Sequence, residues 1–381
     1  MHILGLSNGS VHGNSEILLK AALSAALAKD SQITVSWIHM PSVVIPRNPK
    51  PLRADASIIP NGDTDPHKIG VNPTKIDDRA AVLNAIMDAD AFIVATPVYS
   101  HQPPGTLKEL ADYILGPYAD TSKAFQKKQQ AEANIQEKNQ STGTNGTAAY
   151  TNGVTDGANG TSNGASNSEI TPDPRETKPR VAGFIAVAGS VEQFTEQWTM
   201  ALPSMHVLTY SIHAKVVDQV VLPGNANTGA VLLQPERTLA RACLLGERVA
   251  SQLGRPFDEA QYLGPEEPGA CPYCHLLKLE FCTGNNVQCI VCGTRGALAA
   301  GANGDIRPTW ETDSDVSCLT LKGKWNHIDD IREQLQKERL QLPRVAAEWE
   351  YWKALQFPVV EMPSRSVNGL AVDLEKTHIQ D

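Results

Sequence analysis

No apolar run in the 381 residues exceeds the length of a strand, so the sequence offers no membrane-spanning helix. The chain begins directly on a strand-like pattern, without the basic and apolar leader of a secretory signal. A cytoplasmic location is the expectation, with no membrane partner. Positive charge is also short: 33 Lys and Arg stand against 42 Asp and Glu, a formal net charge of -9. Nucleic-acid backbones are bound by clustered Lys and Arg, so nucleic acid is excluded as the main partner. Hydrophobic residues reach only 41 %, which leaves part of the chain outside any packed core. No Gly-Lys-Ser/Thr phosphate loop and no G-x-G-x-x-G fingerprint occurs at the N-terminal loop. No Ser-His-Asp or paired-carboxylate constellation suggests itself either.

What is present alternates. HILGLS (2–7), ITVSWIHM (33–40), AFIVATPVY (91–99), RVAGFIAVAG (180–189) and AKVVDQVVLPG (214–224) read as strands. Helical patterns follow over 16–27, 77–88, 106–115, 191–201 and 235–253. The order βαβαβαβαβα implies an α/β fold, a doubly wound parallel five-stranded sheet with helices on both faces. A Pro-rich loop fills 41–75. Between 139 and 168 the only side chains that are apolar and larger than Ala are Tyr150 and Val154, so 120–178 reads as an insertion with a disordered centre.

Ligands of such sheets bind at the carboxyl ends of the strands, which brings loops 7–15, 96–105 and 188–192 together. In the first, GLSNGSVHGNSEILL, the donors are Ser7, Asn8, Ser10, Asn14 and Ser15, with Gly9 and Gly13 allowing a tight path. A helix N-terminus follows and supplies N–H groups and partial positive charge. Lacking Lys or Arg, the loop suits one monophosphate. The alternative is a plain βα turn with Ser15 as N-cap. In the second loop, TPVYSHQPPGTLKELAD, residues Pro97, Val98 and Tyr99 offer an edge for a flat ring.

Both loops resemble the NADPH-dependent FMN reductase and flavodoxin-like superfamily, in Gly5, Ser7, Gly13, Asn14 and Ser15 and then Thr96, Pro97, Val98, Tyr99, Gly105, Leu107, Lys108 and Asp112. The resemblance covers 1–118 and 179–256, and implies a flavodoxin-like sheet binding FMN, with NAD(P)H as co-substrate and a homodimer or homotetramer. It further implies that Ser7, Asn8, Ser10, Gly13, Asn14 and Ser15 serve the FMN phosphate. Pro97, Val98, Tyr99 and Ser100 would meet the ring, and Ala188, Gly189 and Ser190 would close its other side. Tyr99 and His101 are catalytic candidates by position alone; a solvent-facing loop histidine is the plainer reading of His101. Two departures stand out. Val11 and His12 replace the family's usual Pro-Arg pair, and the cysteine cluster of the iron-sulfur branch is absent from 41–75.

CPYCHLLKLEFCTGNNVQCIVCGTRG pairs two C-x-x-C knuckles, Cys271 with Cys274 and Cys289 with Cys292. Four thiolates at this spacing indicate a structural zinc ribbon, with rubredoxin-like iron or disulfides and free thiols as alternatives. Cys282 and His275 read as spare core groups. Downstream, an amphipathic helix is expected from Asp329, and Trp310, Trp325, Trp349 and Trp352 gather in this region, either packing or walling a substrate pocket. The expected domains are therefore 1–256, the FMN-binding sheet; 264–357, a small C-terminal zinc-ribbon and helical extension; and 358–381, a loose tail. The function implied is an FMN-dependent NAD(P)H oxidoreductase passing electrons to a small organic acceptor: a quinone, a flavin or a specialised metabolite. A flavodoxin-like electron carrier or redox-responsive binding protein, and a flavin-dependent tailoring enzyme of a biosynthetic pathway, are the alternatives.

Overall fold

The computed structural model describes residues 1–46, 76–126, 128, 173–301 and 303–355. The centre of the 120–178 insertion, most of the Pro-rich loop and the tail from 358 lie outside the described residues. Contacts divide the chain into two units, Met1–Ile328 and Asp329–Asp381.

The first unit is built on five parallel strands: β1 (His2–Ser7), β2 (Thr34–His39), β3 (Ala91–Pro97), β4 (Arg180–Val187) and β5 (Ala214–Leu222). Their order is β2-β1-β3-β4-β5, the flavodoxin-like arrangement. β4 is buried along its whole length, as a central strand covered on both faces must be. One face packs Leu4, Leu6, Phe92, Val94 and Phe184 against α2 (Arg79–Asp88) and α3 (Thr106–Leu110), which continues as a π-turn over Ala111–Leu115. The other packs Ile3, Ile93 and Ile185 against α1 (Asn14–Lys29) and a long helix, Leu239–Gln252. Those two helices touch at Gly246, where a Cβ would lie 1.9 Å from the Ala22 carbonyl oxygen, so only glycine permits the approach.

Three elements differ from expectation. The stretch 191–201 is not one helix: a 3-10 turn (Thr195–Trp198) leads into the short α4 (Ala201–Met205) and α5 (Val207–Ser211). Starting at Ala201 keeps Pro203 within the first helical turn, where its missing N–H costs nothing. The long helix, α6, begins at Leu239 rather than 235. The C-terminal helix α7 (Leu321–Gln341) begins eight residues before Asp329, fixed by Lys324, whose buried Nζ donates to the Thr209 and Ile212 carbonyls at 3.0 Å each. These are the free carbonyls at the end of α5, a favourable place for a cation; burial nevertheless pushes the Lys324 pKa down to about 8.

The cysteine region is a four-stranded antiparallel ribbon, β6 (Leu279–Phe281), β7 (Asn286–Cys289), β8 (Arg295–Ala300) and β9 (Ile306–Trp310). It belongs to the same unit as the sheet. Gln219 on β5 donates to the Cys274 carbonyl at 2.8 Å, and Tyr210 donates to the Val291 carbonyl. The second unit holds the remainder of α7, a 3-10 turn (Leu342–Val345) and α8 (Ala346–Ala354).

Candidate active site

The carboxyl ends of β1, β3, β4 and β5 open onto one cleft of about 270 Å³. Gly9, Ser10, Asn14 and Ser15 line it from the first loop, Pro97, Val98 and Tyr99 from the second, and Val187 and Gly189 from the third. A fourth wall was not anticipated: Asn225, Ala226 and Thr228, from the loop after β5, complete the lining. That loop obeys the same rule as the others, since it too leaves a strand's carboxyl end.

The first loop leaves its anion-binding groups free. α1 is capped by Gly13 without any side-chain hydrogen bond, so Ser15 is not an N-cap; it lies within the first turn, as the second helical residue. Among the described residues, no acceptor serves the Asn14, Ser15 and Glu16 N–H groups, as expected for a helix start. Ser10 and Ser15 line the cleft, Ser15 only 2 % exposed, and the buried Ser7 Oγ has no partner. A Cβ on Gly9 would come within 3.0 Å of Ser15 Oγ, and one on Gly13 within 2.6 Å of Ser10 Oγ, so a side chain at either glycine would crowd the hydroxyl beside it. Neutral donors and a helix N-terminus fit a phosphate monoester; Ser7, fully buried, is not among the residues that line the cleft.

Other residues of this loop are engaged inside the protein. Asn8 is 2 % exposed; its Nδ2 donates to Thr96 Oγ1 at 3.1 Å and its Oδ1 accepts from the Thr106 hydroxyl. It thereby ties the first loop to both ends of the second. Asn14 reaches across the cleft: its Nδ2 donates to the Asn227 carbonyl at 2.8 Å and the Asn225 carbonyl at 3.3 Å, and its Oδ1 accepts from the Gly229 N–H at 2.8 Å. Glu16, the third helical residue, accepts from the His12 N–H at 2.8 Å and holds the bend at the left-handed His12 (φ 59°). Hydrogen bonding to Lys20 keeps its carboxyl below the usual range despite burial. The Gly-Asn-Ser-Glu order carried that signal, because a glutamate three residues past the cap commonly reaches back.

The second loop turns sharply. Tyr99 and Gln102 exchange backbone hydrogen bonds at 2.9 and 3.2 Å around Ser100 (φ 48°) and His101 (φ 72°), both left-handed without being glycine. Two such residues in a row make a type I′ turn, a conformation side chains oppose. The turn is held from outside: His101 Nδ1 lies 2.6 Å from the Glu196 carbonyl, and the His101 carbonyl accepts from the Met200 N–H at 3.2 Å. Against a carbonyl, Nδ1 carries the proton, which leaves Nε2 an acceptor. Tyr99 itself is exposed at the rim. In the third loop, Ala188 is buried and its carbonyl accepts from the Asn225 N–H at 3.0 Å, while the Ser190 carbonyl accepts from the Gly224 N–H at 2.8 Å. Ala188 and Ser190 thus join this loop to the one after β5 and leave Gly189 at the cleft.

Residues 1–134 match the family model for NADPH-dependent FMN reductases. The chain is accordingly a flavin-dependent oxidoreductase acting on small molecules. It is 28 % identical over 369 residues to flavone synthase cfoJ of Aspergillus candidus, covering 96 % of this chain and 99 % of that one. A solved structure described as a flavone reductase superposes with a TM-score of 0.66 at 24 % identity, covering 95 % of this chain and all of the other. That likeness establishes a shared fold that includes the C-terminal additions.

At the ribbon, Cys271, Cys274, Cys289 and Cys292 are buried, with their sulfurs all within 4.8 Å of one another. The Cys271–Cys292 and Cys274–Cys289 separations are both 3.5 Å. Sulfurs about 2.3 Å from a central tetrahedral metal would stand somewhat under ~4 Å apart, so the donor set fits a four-thiolate ion. Cys282 is exposed, not a core thiol. His275 points away from the cluster: it stacks on Tyr262 at 3.8 Å, and its Nδ1 meets Glu266 at 2.9 Å.

Proposed function

We propose that this FMN reductase family member moves two electrons between NAD(P)H and a flat phenolic heterocycle of the flavone type, with FMN in the cleft and zinc in the ribbon. The observation that carries the acceptor class is the flavone synthase relative, which aligns across the sheet domain, the ribbon and the helical extension alike. A shared flavin domain alone would leave the acceptor open; shared additions restrict it.

FMN, when bound, supplies the electron-transfer chemistry, and the protein supplies binding, orientation and exclusion of water. The Ser10 and Ser15 hydroxyls and the N–H groups of Asn14, Ser15 and Glu16 hold the phosphate. Pro97, Val98 and Tyr99 border one edge of the ring and Gly189 the other, where a side chain would crowd it. Ser7, Gly13, Ser100, Ala188 and Ser190 shape these loops, and Asn8 and Asn14 fix them to one another. His101 Nε2, left an acceptor by its partner Glu196, receives a phenolic hydroxyl of the acceptor molecule. In the reductive direction NAD(P)H and one proton are consumed while the C2–C3 double bond of the flavone becomes single. The reverse direction removes two electrons and two protons from that bond; oxidised nicotinamide takes up the electrons with one proton, and the second proton is released. Zinc in the closed four-thiolate site holds the ribbon together and offers no open position for catalysis.

Full-length protein with FMN should interconvert flavone and flavanone with one nicotinamide turned over per bond, read by absorbance and product chromatography. Rapid NAD(P)H oxidation with a quinone but no change in either flavonoid would overturn the acceptor class. Failure to bind FMN would overturn the cleft assignment.

A further inference from the structure

At the amino end of β5, away from the flavin cleft, lies a second cavity of about 410 Å³, a volume within the range of small-molecule sites. The nine residues of β5 hold it roughly 26 Å of strand from the cleft. The end of α5 and the start of β5 meet there the segment after α6, the first cysteine knuckle and the turn into α7. None of its residues lines the flavin cleft or supplies one of the four thiolates. Its inner surface is aromatic and apolar. His213, Val216 and Leu319 are buried, and Phe257 stacks on His213 with ring centres 4.0 Å and planes 15° apart. Tyr273 adds a second ring from the ribbon side.

The charges in this cavity are unevenly placed. Lys215 is half-buried; its Nζ donates to the Phe257 carbonyl at 3.3 Å and stands 5.7 Å from the centre of the Phe257 ring. Among the described residues no carboxylate forms an ion pair with it, and burial lowers its pKa from the usual lysine value against a weaker pull from Asp258. An ammonium carries three donors, and the Phe257 carbonyl takes one. At the rim the exposed Lys322 is already paired with Asp313 at 3.0 Å, and Asp258 is exposed. The cavity therefore sets one inward cation, short of a counter-ion, beside an aromatic platform. A mineral anion would satisfy the charge and leave the rings wet; a neutral aromatic molecule would cover the rings and leave the ammonium short. We infer that this cavity is a second ligand site, which takes a small aromatic carboxylate with its charge on Lys215 Nζ and its ring against Phe257 and Tyr273.

The test is titration of the full chain, with FMN present, by hydrocinnamate, followed by calorimetry and flavin absorbance. Hydrocinnamate should bind once per chain without shifting the flavin spectrum. Its uncharged isostere hydrocinnamamide should bind at least about tenfold more weakly, the difference that a charge-assisted hydrogen bond makes. Lys215→Met, which keeps an unbranched stem beside Phe257, should bring the carboxylate down to the affinity of the amide while circular dichroism and FMN content stay unchanged. Asp258→Asn, at an exposed position, removes the charge that opposes the anion; it should tighten the carboxylate by about two- to fivefold and leave the amide as it was. Absence of saturable binding, equal affinities for carboxylate and amide, or an unaltered preference in either variant would overturn the inference. A flavin spectrum that shifts in step with binding, or displacement of the probe by flavone, would put the probe in the cleft and overturn it equally.

Discussion

Ser15 and Asn14 are neighbours at the start of α1, both line the cleft, and substitutions at them should have different consequences. The Ser15 hydroxyl makes no hydrogen bond to the protein among the described residues, whereas Asn14 makes three to the loop after β5. Ser15→Ala therefore removes nothing that holds the empty protein together, and its unfolding free energy should change by less than about 0.5 kcal/mol. If the hydroxyl donates to a phosphate, the loss on binding is that of a charge-assisted hydrogen bond, about 1.5–3 kcal/mol, or roughly 10- to 150-fold in Kd. Riboflavin, which has no phosphate, should bind the variant as it binds the natural chain. Asn14→Ala acts through the wall of the cleft: stability should fall by about 1–3 kcal/mol, and FMN and riboflavin should weaken together. Flavin fluorescence titration and urea unfolding of the apoprotein measure both quantities. Equal losses of FMN and riboflavin affinity in Ser15→Ala would refute the phosphate assignment. An Asn14→Ala protein of undiminished stability would refute the clamp.

Three further outcomes follow from the same geometry. Metal analysis of the natural chain should find about one ion per chain, and Cys289→Ser should lose it together with several kcal/mol of stability, because three buried thiols are left without a centre; an unchanged melting temperature would remove the structural role. Burial, with Lys324 and Arg180 adding to it, depresses the His213 pKa to about 3, so between that value and 6.5 the unfolded chain binds a proton that the folded chain refuses. Stability should therefore rise with pH across that window and lie about 2 kcal/mol lower at pH 5 than at pH 7, a slope that His213→Phe abolishes in urea titrations; a slope surviving in the variant would assign it elsewhere. Because loop 7–15 contains no Lys or Arg, FMN affinity should change by less than about threefold between low and moderate salt, and a steep decline in the titration would reveal a cation that the loop does not supply.

Much of the sheet was legible because parallel central strands leave a plain mark. AFIVATP and RVAGFIAV are apolar on both faces, and the separation between successive strands leaves room for the crossovers that parallel pairing requires. Helix limits were less legible where a distant contact sets them. Lys324 reads as a surface residue in WNHIDD's neighbourhood, and only the carbonyls at the end of α5, more than a hundred residues away, explain why α7 starts at Leu321. Cys282 shows the converse. Five cysteines in a short stretch suggested a buried group, yet the two knuckles complete a four-sulfur set without it, and Cys282, just past the end of β6, is exposed.

The cleft was legible in its outline and not in its division of labour. Composition distinguishes Ser, Asn and Gly from apolar residues, so loop 7–15 announces polar work, but composition cannot say which polar group faces a ligand and which faces the protein. Asn8 and Asn14 look equivalent to Ser10 and Ser15 in sequence; in the fold the two asparagines join loops, while the two serine hydroxyls, at the cleft lining, make no hydrogen bond to the protein among the described residues. The difference follows from chemistry. An amide can donate and accept at once and so bridges two backbone segments, whereas a hydroxyl near a helix N-terminus finds few acceptors there. The same reasoning accounts for the missing arginine. Glu16 is buried beside the loop and ionised, with Lys20 at 2.5 Å as its counterion, so the nearest full charges cancel. What remains to attract an anion is the partial charge of the helix end and the direction of its free N–H groups. Those depend on the bend at His12 that Glu16 holds, and Glu16 therefore acts on the anion site through backbone geometry rather than through its charge.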